Sequence, residues 1–168
     1  MEIRHTRPED LPAMLAIYAA ARVRMAEDGN PHQWGDEGYP KRELLENDIA
    51  AGNSYVLEED GRVVGTFAFI LGDDPTYSYI EDGAWLNSAP YGTIHRIAGD
   101  GVTRGVVRAA VDYARGVIPN LRIDTHFDNR RMQHVIEKNG FRRCGVIYVE
   151  DGSPRIAYQL PADEGDRA

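Results

Sequence analysis

The stretch SYVLEEDGRVVGTFAFIL at residues 54–71 constrains the fold more than any other. Two runs rich in β-branched and aromatic residues flank Asp60 and Gly61, and an Asp-Gly pair suits the two-residue turn whose twist matches paired strands. A β-hairpin follows. Its second arm carries the longest apolar run, VVGTFAFIL at 63–71, which is far too short to span a bilayer. A hairpin alone is marginal in water, so the rest of the chain must extend the sheet and cover it. EIRHT at 2–6, TIHRIAG at 93–99 and LRIDTH at 121–126 read as further strands. FRRCGVIYV and PRIAYQL read as two last strands around the turn EDGS, and a short strand is expected at 77–81 within a turn-rich segment.

Helical periodicity fills the gaps. Thr6 caps a first helix, Glu9 completes a capping box, and Pro8 sits in the first turn. Leu11, Met14, Leu15, Tyr18, Arg22 and Met25 share its inner face. PKRELLENDIAAG at 40–52 is a second helix, opened by Pro40 and closed by Gly52. A third starts near Val102 or Thr103, runs to about Gly116 and buries Val102, Val106, Ala109, Ala110, Tyr113 and Val117. The fourth, DNRRMQHVIEKNG, turns Met132, Val135, Ile136 and Asn139 inward and stops at Gly140. The order β-α-α-β-β-(β)-β-α-β-α-β-β implies an α/β (α+β) domain, a mixed sheet with helices on both faces. One domain over 1–161 is expected, with 162–168 a flexible tail.

A net charge of −8 disfavours a broad nucleic-acid surface or an anionic membrane as partner. The polar start, MEIRHTRPED, is not a signal peptide, and the single cysteine, Cys144, forbids an internal disulfide; both fit a cytoplasmic protein. Cys144 beside Gly145 reads as a small core residue. The five histidines lack the tight spacing of a metal site, so no metal is expected. Against the acidic background, arginines gather at 104, 108, 115, 122, 130 and 131. They suit one anionic ligand, and equally suit solvated helix faces.

IAGDGVTRGVVRAA at 97–110 lies among them. Spaced glycines between a strand and a helix present successive backbone N–H groups, and the helix N-terminus adds positive potential. A dinucleotide fold would use Gly99, Gly101 and Gly105 with Asp124 on a ribose, but only one further β-α unit follows and a hairpin precedes. A P-loop is excluded because no Gly-Lys-Ser/Thr follows. A plain αβ connection and an acyl-CoA cradle remain.

The whole order of elements resembles the GNAT family, the GCN5-related N-acetyltransferases, from IRHTRPEDLPAMLAIY to RIAYQL. IHRIAGDGVTRGVV is similar to the strand, loop and helix that hold coenzyme A in that family, and DTHFDNRRMQHVIEKNGFRRCG to its "DN…A…Y.K.GF" segment. The resemblance implies an acyl-CoA N-acyltransferase fold with about seven strands, mostly antiparallel, and acetyl-CoA as co-substrate. On the loop pattern Q/R-x-x-G-x-G/A, aligned at Gly105, Val102 replaces Gln or Arg and Val107 replaces Gly or Ala. Ile97, Ala98, Arg104, Gly105, Val107, Arg108 and Asn129 are the implied carrier-binding positions, although Asn129 also suits a helix N-cap. The tyrosine that often protonates the leaving thiolate falls at Ile136, which cannot donate a proton. A thiol of pKa near roughly 8.5 leaves without strong help.

The resemblance implies direct transfer to a primary amine of a small molecule. The ammonium must first lose a proton, and His126, Glu81 and His95 are the candidate bases. Trp34 and Tyr39, with Glu81 and Trp85, are candidate acceptor contacts, because aromatic rings and acids suit an amine; the aromatics equally suit plugs over the sheet edge. A homodimer through an edge strand is implied only by the family. The alternative from another class is a catalytically degenerate GNAT-fold module that binds CoA or a partner without turnover.

Overall fold

The computed structural model describes residues 1–36 and 38–163. Glu37 and residues 164–168, the greater part of the expected tail, lie outside the described residues. Seven strands, β1 (Glu2–His5), β2 (Ser54–Glu59), β3 (Arg62–Leu71), β4 (Gly92–Gly99), β5 (Leu121–Thr125), β6 (Arg142–Tyr148) and β7 (Pro154–Leu160), make one sheet in the order β1-β2-β3-β4-β5-β7-β6. The helices are α1 (Leu11–Glu27), α2 (Arg42–Ala50), α3 (Val106–Val117) and α4 (Arg130–Lys138). β4 and β5 run parallel; β1 with β2, β2 with β3, β5 with β7 and β6 with β7 are antiparallel. The mixed, mostly antiparallel sheet is the one expected. No helix among the described residues is long and apolar enough to cross a membrane.

The chain forms two compact units. The first comprises Met1–Phe69 and His95–Ala110. Its hairpin turns at Asp60 (φ 52°) and Gly61 (φ 75°), both left-handed, as a two-residue turn between twisted strands requires. Leu11, Met14, Tyr18 and Ala21 of α1 pack with Leu45 of α2, Val56 of β2 and Ala98 of β4 in one apolar cluster.

The start of α1 differs in detail from the expected capping box. Thr6 is drawn into the sheet, where its hydroxyl accepts from Ser54 Oγ at 2.7 Å and its N–H donates to the Ser54 carbonyl at 3.0 Å. The acid that closes the first turn is Asp10, not Glu9: its carboxylate accepts the Arg7 N–H at 2.7 Å. Arg4 of β1 donates to both Asp10 oxygens, at 2.8 and 2.9 Å, and to Glu58 at 2.9 Å. A 3-10 turn at Pro8–Asp10 leads into the helix.

The second unit comprises Ile70–Ile94 and the described residues from Val111 onward. Its core joins Tyr77, Tyr91, Ile147 and Ala157. The strand expected at 77–81 is instead a 3-10 turn at Pro75–Tyr77 followed by a single antiparallel bridge, Glu81↔Val146. Ala84 N–H adds a bond to the Cys144 carbonyl at 3.0 Å, so this segment covers part of β6, the strand at one end of the sheet. The approach is close enough that a Cβ on Gly83 would lie 1.8 Å from the Cys144 carbonyl oxygen. Arg122 is not a member of a surface patch: it is buried, with its guanidinium 4.0 Å from the Trp85 ring centre and 3.9 Å from that of Tyr91.

α3 begins at Val106, later than its periodicity predicts, and Val102 is 79% exposed rather than buried. The reason lies in Asp100, described below. Its buried residues are Val106, Ala110, Val111 and Ala114, while Val117 is exposed.

The Arg4 guanidinium and the Arg7 amide hold the Asp10 carboxyl below its ordinary range, against the opposing effect of burial. A depressed folded value means that the stabilisation is complete above the unfolded range and is lost as pH falls through the folded one. Asp10→Asn is therefore expected to lose about 1 kcal/mol of stability at neutral pH, read by urea unfolding. The difference from the parent should shrink as pH falls below roughly 4.

Candidate functional site

The first unit carries its polar chemistry along β4. Strand residues favour extended backbone, yet Arg96 sits at φ 54°. A left-handed non-glycine residue inside a strand costs about 1–3 kcal/mol and persists only where its surroundings impose it. Here they do. Tyr18 of α1 donates its hydroxyl to the Arg96 carbonyl at 2.6 Å. The Arg96 guanidinium grips Asp48 of α2 through two bonds, at 2.9 and 3.0 Å, and donates to the Tyr39 hydroxyl at 3.2 Å. Both charged side chains are only 10% exposed. Burial pushes the Asp48 carboxyl up while the adjacent guanidinium opposes it, and burial pushes the Tyr18 phenol well above its ordinary range. Tyr18 therefore acts as a fixed donor.

β4 leads into the glycine-spaced loop, where the glycines divide their work. A Cβ on Gly99 would lie 3.2 Å from Val106, and one on Gly65 of β3 3.0 Å from the same side chain, so these two let α3 start close on the strands. Gly101 (φ 85°) lies under the Arg24 guanidinium, whose Nη1 would be 2.8 Å from a Cβ there. Only Gly105 (φ 82°) faces open space, with nothing within 4 Å of the added carbon.

Asp100 organises the same loop. One carboxylate oxygen accepts the N–H groups of Val102 (3.0 Å) and Thr103 (2.7 Å), and the other accepts the Thr103 hydroxyl at 2.9 Å. This turn delays α3 and turns Val102 outward. It also consumes two of the amides that the sequence offered to a ligand. Burial raises the Asp100 carboxyl, but those amide bonds more than offset it and hold it low. The N–H groups of Val106, Val107 and Arg108, in the first turn of α3, have no partner within the helix.

The remaining sequence-predicted residues are placed as follows. Ile97 and Ala98 are buried on β4, each 7% exposed; Arg104 and Arg108 are exposed beside Gly105, and Val107 is half-buried. Trp34 and Tyr39 come together, ring centres 6.3 Å apart, with Trp34 edge-on to Tyr18 at 5.7 Å. His95 is half-buried on β4, next to Arg96 and within electrostatic reach of Asp48. These belong to the first unit.

In the second unit, His126 Nδ1 accepts the Asp128 N–H at 2.9 Å. That bond assigns the proton of a neutral ring to Nε2 and engages its one basic lone pair. Glu81 accepts from the hydroxyls of Tyr79 and Tyr148, which hold its carboxyl low. Trp85 donates its indole N–H to the Tyr77 carbonyl at 2.9 Å and packs on Arg122. Asn129 caps α4 by accepting the Met132 N–H at 3.0 Å. Ile136 is fully buried, and Cys144 is a buried thiol that burial pushes up. Asp124 accepts the Tyr77 hydroxyl at 2.6 Å. Among the described residues, no three His, Cys, Asp or Glu side chains gather as a metal site would need. Sequence reasoning missed Tyr18, Arg24, Asp48, Arg96 and Asp100. An acid two and three residues before polar amides was a readable turn signal for Asp100; the others had none.

The family model described as "Acetyltransferase (GNAT) domain" matches residues 1–142. This chain belongs to the GNAT family. A GNAT-family acetyltransferase from Streptococcus agalactiae 2603 is 32% identical, with a TM-score of 0.88 over 97% of this chain and 96% of that one. A GNAT-family acetyltransferase from Listeria monocytogenes 4b F2365 is 19% identical (TM-score 0.69; 94% and 92% covered). The ribosomal-protein-alanine N-acetyltransferase from Brucella melitensis is 20% identical (TM-score 0.62; 95% and 98%). The last two share the fold. A search of curated proteins gave no match.

GNAT acetyltransferases use acetyl-CoA as acyl donor. The open face at Gly105, the first turn of α3 and the exposed Arg104 could hold its phosphates; the Val102 and Thr103 amides are bonded to Asp100. The buried Asp48–Arg96 pair shapes the strand that leads there. Asp48→Ala leaves an unpaired buried guanidinium and is expected to cost about 3 kcal/mol in urea unfolding. Adding Arg96→Met should recover a large part of that loss, and a strictly additive pair of losses would count against the coupling.

Proposed function

We propose that this GNAT chain transfers an acetyl group from acetyl-CoA to a primary amine of a small molecule. The observation that carries the reading is Gly105, left-handed and open on its Cβ side, directly before the first turn of α3. A diphosphate can approach the main chain there, against a helix N-terminus with Arg104 and Arg108 beside it. β4 runs into this loop, so the backbone at Ile97 and Ala98 would orient the pantetheine arm, and one N–H would stabilise the oxyanion.

Transfer needs a neutral amine. Of the three candidate bases, His95 fits best: it lies on β4 itself, whereas the basic lone pair of His126 accepts a backbone N–H and Glu81 is held low by two phenols. His95 would take the ammonium proton; the amine lone pair would attack the thioester carbonyl, and collapse of the tetrahedral intermediate would expel the CoA thiolate, which takes up the second proton from the amide nitrogen. With Ile136 buried, departure would rest on the intrinsic acidity of the thiol, near roughly 8.5. Trp34 and Tyr39 would contact the acceptor; Trp85 is engaged in packing. A reducing compartment such as the cytoplasm suits the free Cys144 thiol.

A second reading, a CoA-binding module without turnover, draws support from the two amides committed to Asp100 and from the bulky Val107. Release of free CoA thiol, measured with a panel of primary amines, separates the two. Amine-dependent release is expected for the enzyme; calorimetric CoA binding with no release on any amine supports the module. His95→Ala should lower kcat/KM about a hundredfold at neutral pH. The deficit should narrow toward pH of about 10, where the amine loses its own proton. A deficit independent of pH would remove His95 as the base.

A further inference from the structure

The amides spent on Asp100 leave the loop short of donors, and α1 supplies a replacement. We propose that Arg24, in the last turn of α1, is a ligand for the diphosphate of the acyl carrier. The inference rests on the acetyl-CoA reading above and adds a residue from outside the strand, loop and helix that carry the family pattern.

Three observations converge on Arg24. Its Nη2 donates to the carbonyl of Gly99, the last residue of β4, at 2.8 Å, which pins the guanidinium at the mouth of the loop. It lies flush against Gly101: Nη1, Cζ and Nε would be 2.8, 2.9 and 3.1 Å from a Cβ at that position, so the glycine makes room for the guanidinium. Among the described residues Arg24 has no carboxylate partner, in contrast to Arg4 and Arg96 of the same unit. A guanidinium carries five N–H donors in a planar fork, and capping one carbonyl uses only one of them. A cation fixed in place with donors to spare, beside a loop whose carboxylate has taken two amides, fits a ligand with several anionic oxygens. The diphosphate is preferred to the carrier's third phosphate because Arg24 touches the strand-to-loop junction, where the pantetheine arm would pass into the diphosphate.

The test compares the intact protein with Arg24→Met and Arg24→Lys. Calorimetry is run with CoA and with 3′-dephospho-CoA, and turnover is followed with acetyl-CoA and with S-acetylpantetheine, which has no diphosphate. Arg24→Met is expected to weaken CoA and 3′-dephospho-CoA alike, by about tenfold or more. Its kcat/KM should fall at least five times further on acetyl-CoA than on S-acetylpantetheine, and Arg24→Lys should lie between. Gly101→Ala, which forces the guanidinium away, should weaken CoA in the same direction. Unchanged CoA affinity in Arg24→Met would overturn the proposal. So would an equal loss on S-acetylpantetheine, which marks a purely structural cap on Gly99, or a loss seen with CoA but absent with 3′-dephospho-CoA. Failure of the unaltered protein to bind CoA at all would instead sink the acetyl-CoA reading itself.

Discussion

At Arg96 the backbone of β4 leaves the extended region for the left-handed one, and much of the first unit is arranged to hold it there. α1 supplies the Tyr18 hydroxyl to the carbonyl, α2 supplies Asp48 to the guanidinium, and the segment after α1 supplies Tyr39. Each is an interaction that a regular strand would not need. A left-handed residue breaks the alternation of the pleat, so the backbone beyond it is aimed differently from the backbone before it. That places a deliberate irregularity immediately ahead of Ile97 and Ala98, and ahead of the loop that follows. The buried ion pair is a costly way to do this, because each charge must be taken out of water. Its bidentate geometry and the extra bond to Tyr39 supply what offsets the cost.

In the loop after β4, three glycines within seven residues have three different surroundings. Gly99 lets Val106 close on the sheet, Gly101 lets Arg24 close on the loop, and Gly105 alone leaves its face open. Asp100 stands in for an anion by accepting two amides and a hydroxyl, which rigidifies the turn and sets where α3 begins. Around that turn lie the N-terminus of α3, Arg104 and Arg108 close in sequence, and Arg24 carried in by α1. The spacing of the glycines thus reports packing at Gly99 and Gly101 and an open face at Gly105.

What could be read without coordinates follows how local each signal is. The hairpin at Asp60 and Gly61 was legible because turn and strands are contiguous. The four helices were legible in number and rough extent, since apolar periodicity survives errors of a residue or two. Details failed where a distant partner intervened. Thr6 left its capping role for Ser54, and Asp10 took that role because Arg4 and Arg7 converge on it. The strand expected at 77–81 lacked a ladder and became a single bridge to Val146. Arg122 looked like part of a basic patch and is instead sandwiched between two aromatic rings. The three candidate bases could be named from the sequence, but the bond from the Asp128 N–H to His126 Nδ1 could not.

By itself the sequence determined the order of strands and helices, the hairpin, the glycine-spaced connection and the resemblance to the GNAT family. These depend on neighbours within a turn or two, or on a pattern summed along the whole chain. Only the tertiary structure decided that Tyr18 and Asp48 meet Arg96, that Arg24 rests on Gly101, and that Gly105 is the glycine left open. Those contacts join residues tens of positions apart. They exist because burial makes an unpaired charge or carbonyl expensive, so partners are found wherever packing brings them, and no local pattern records where that is.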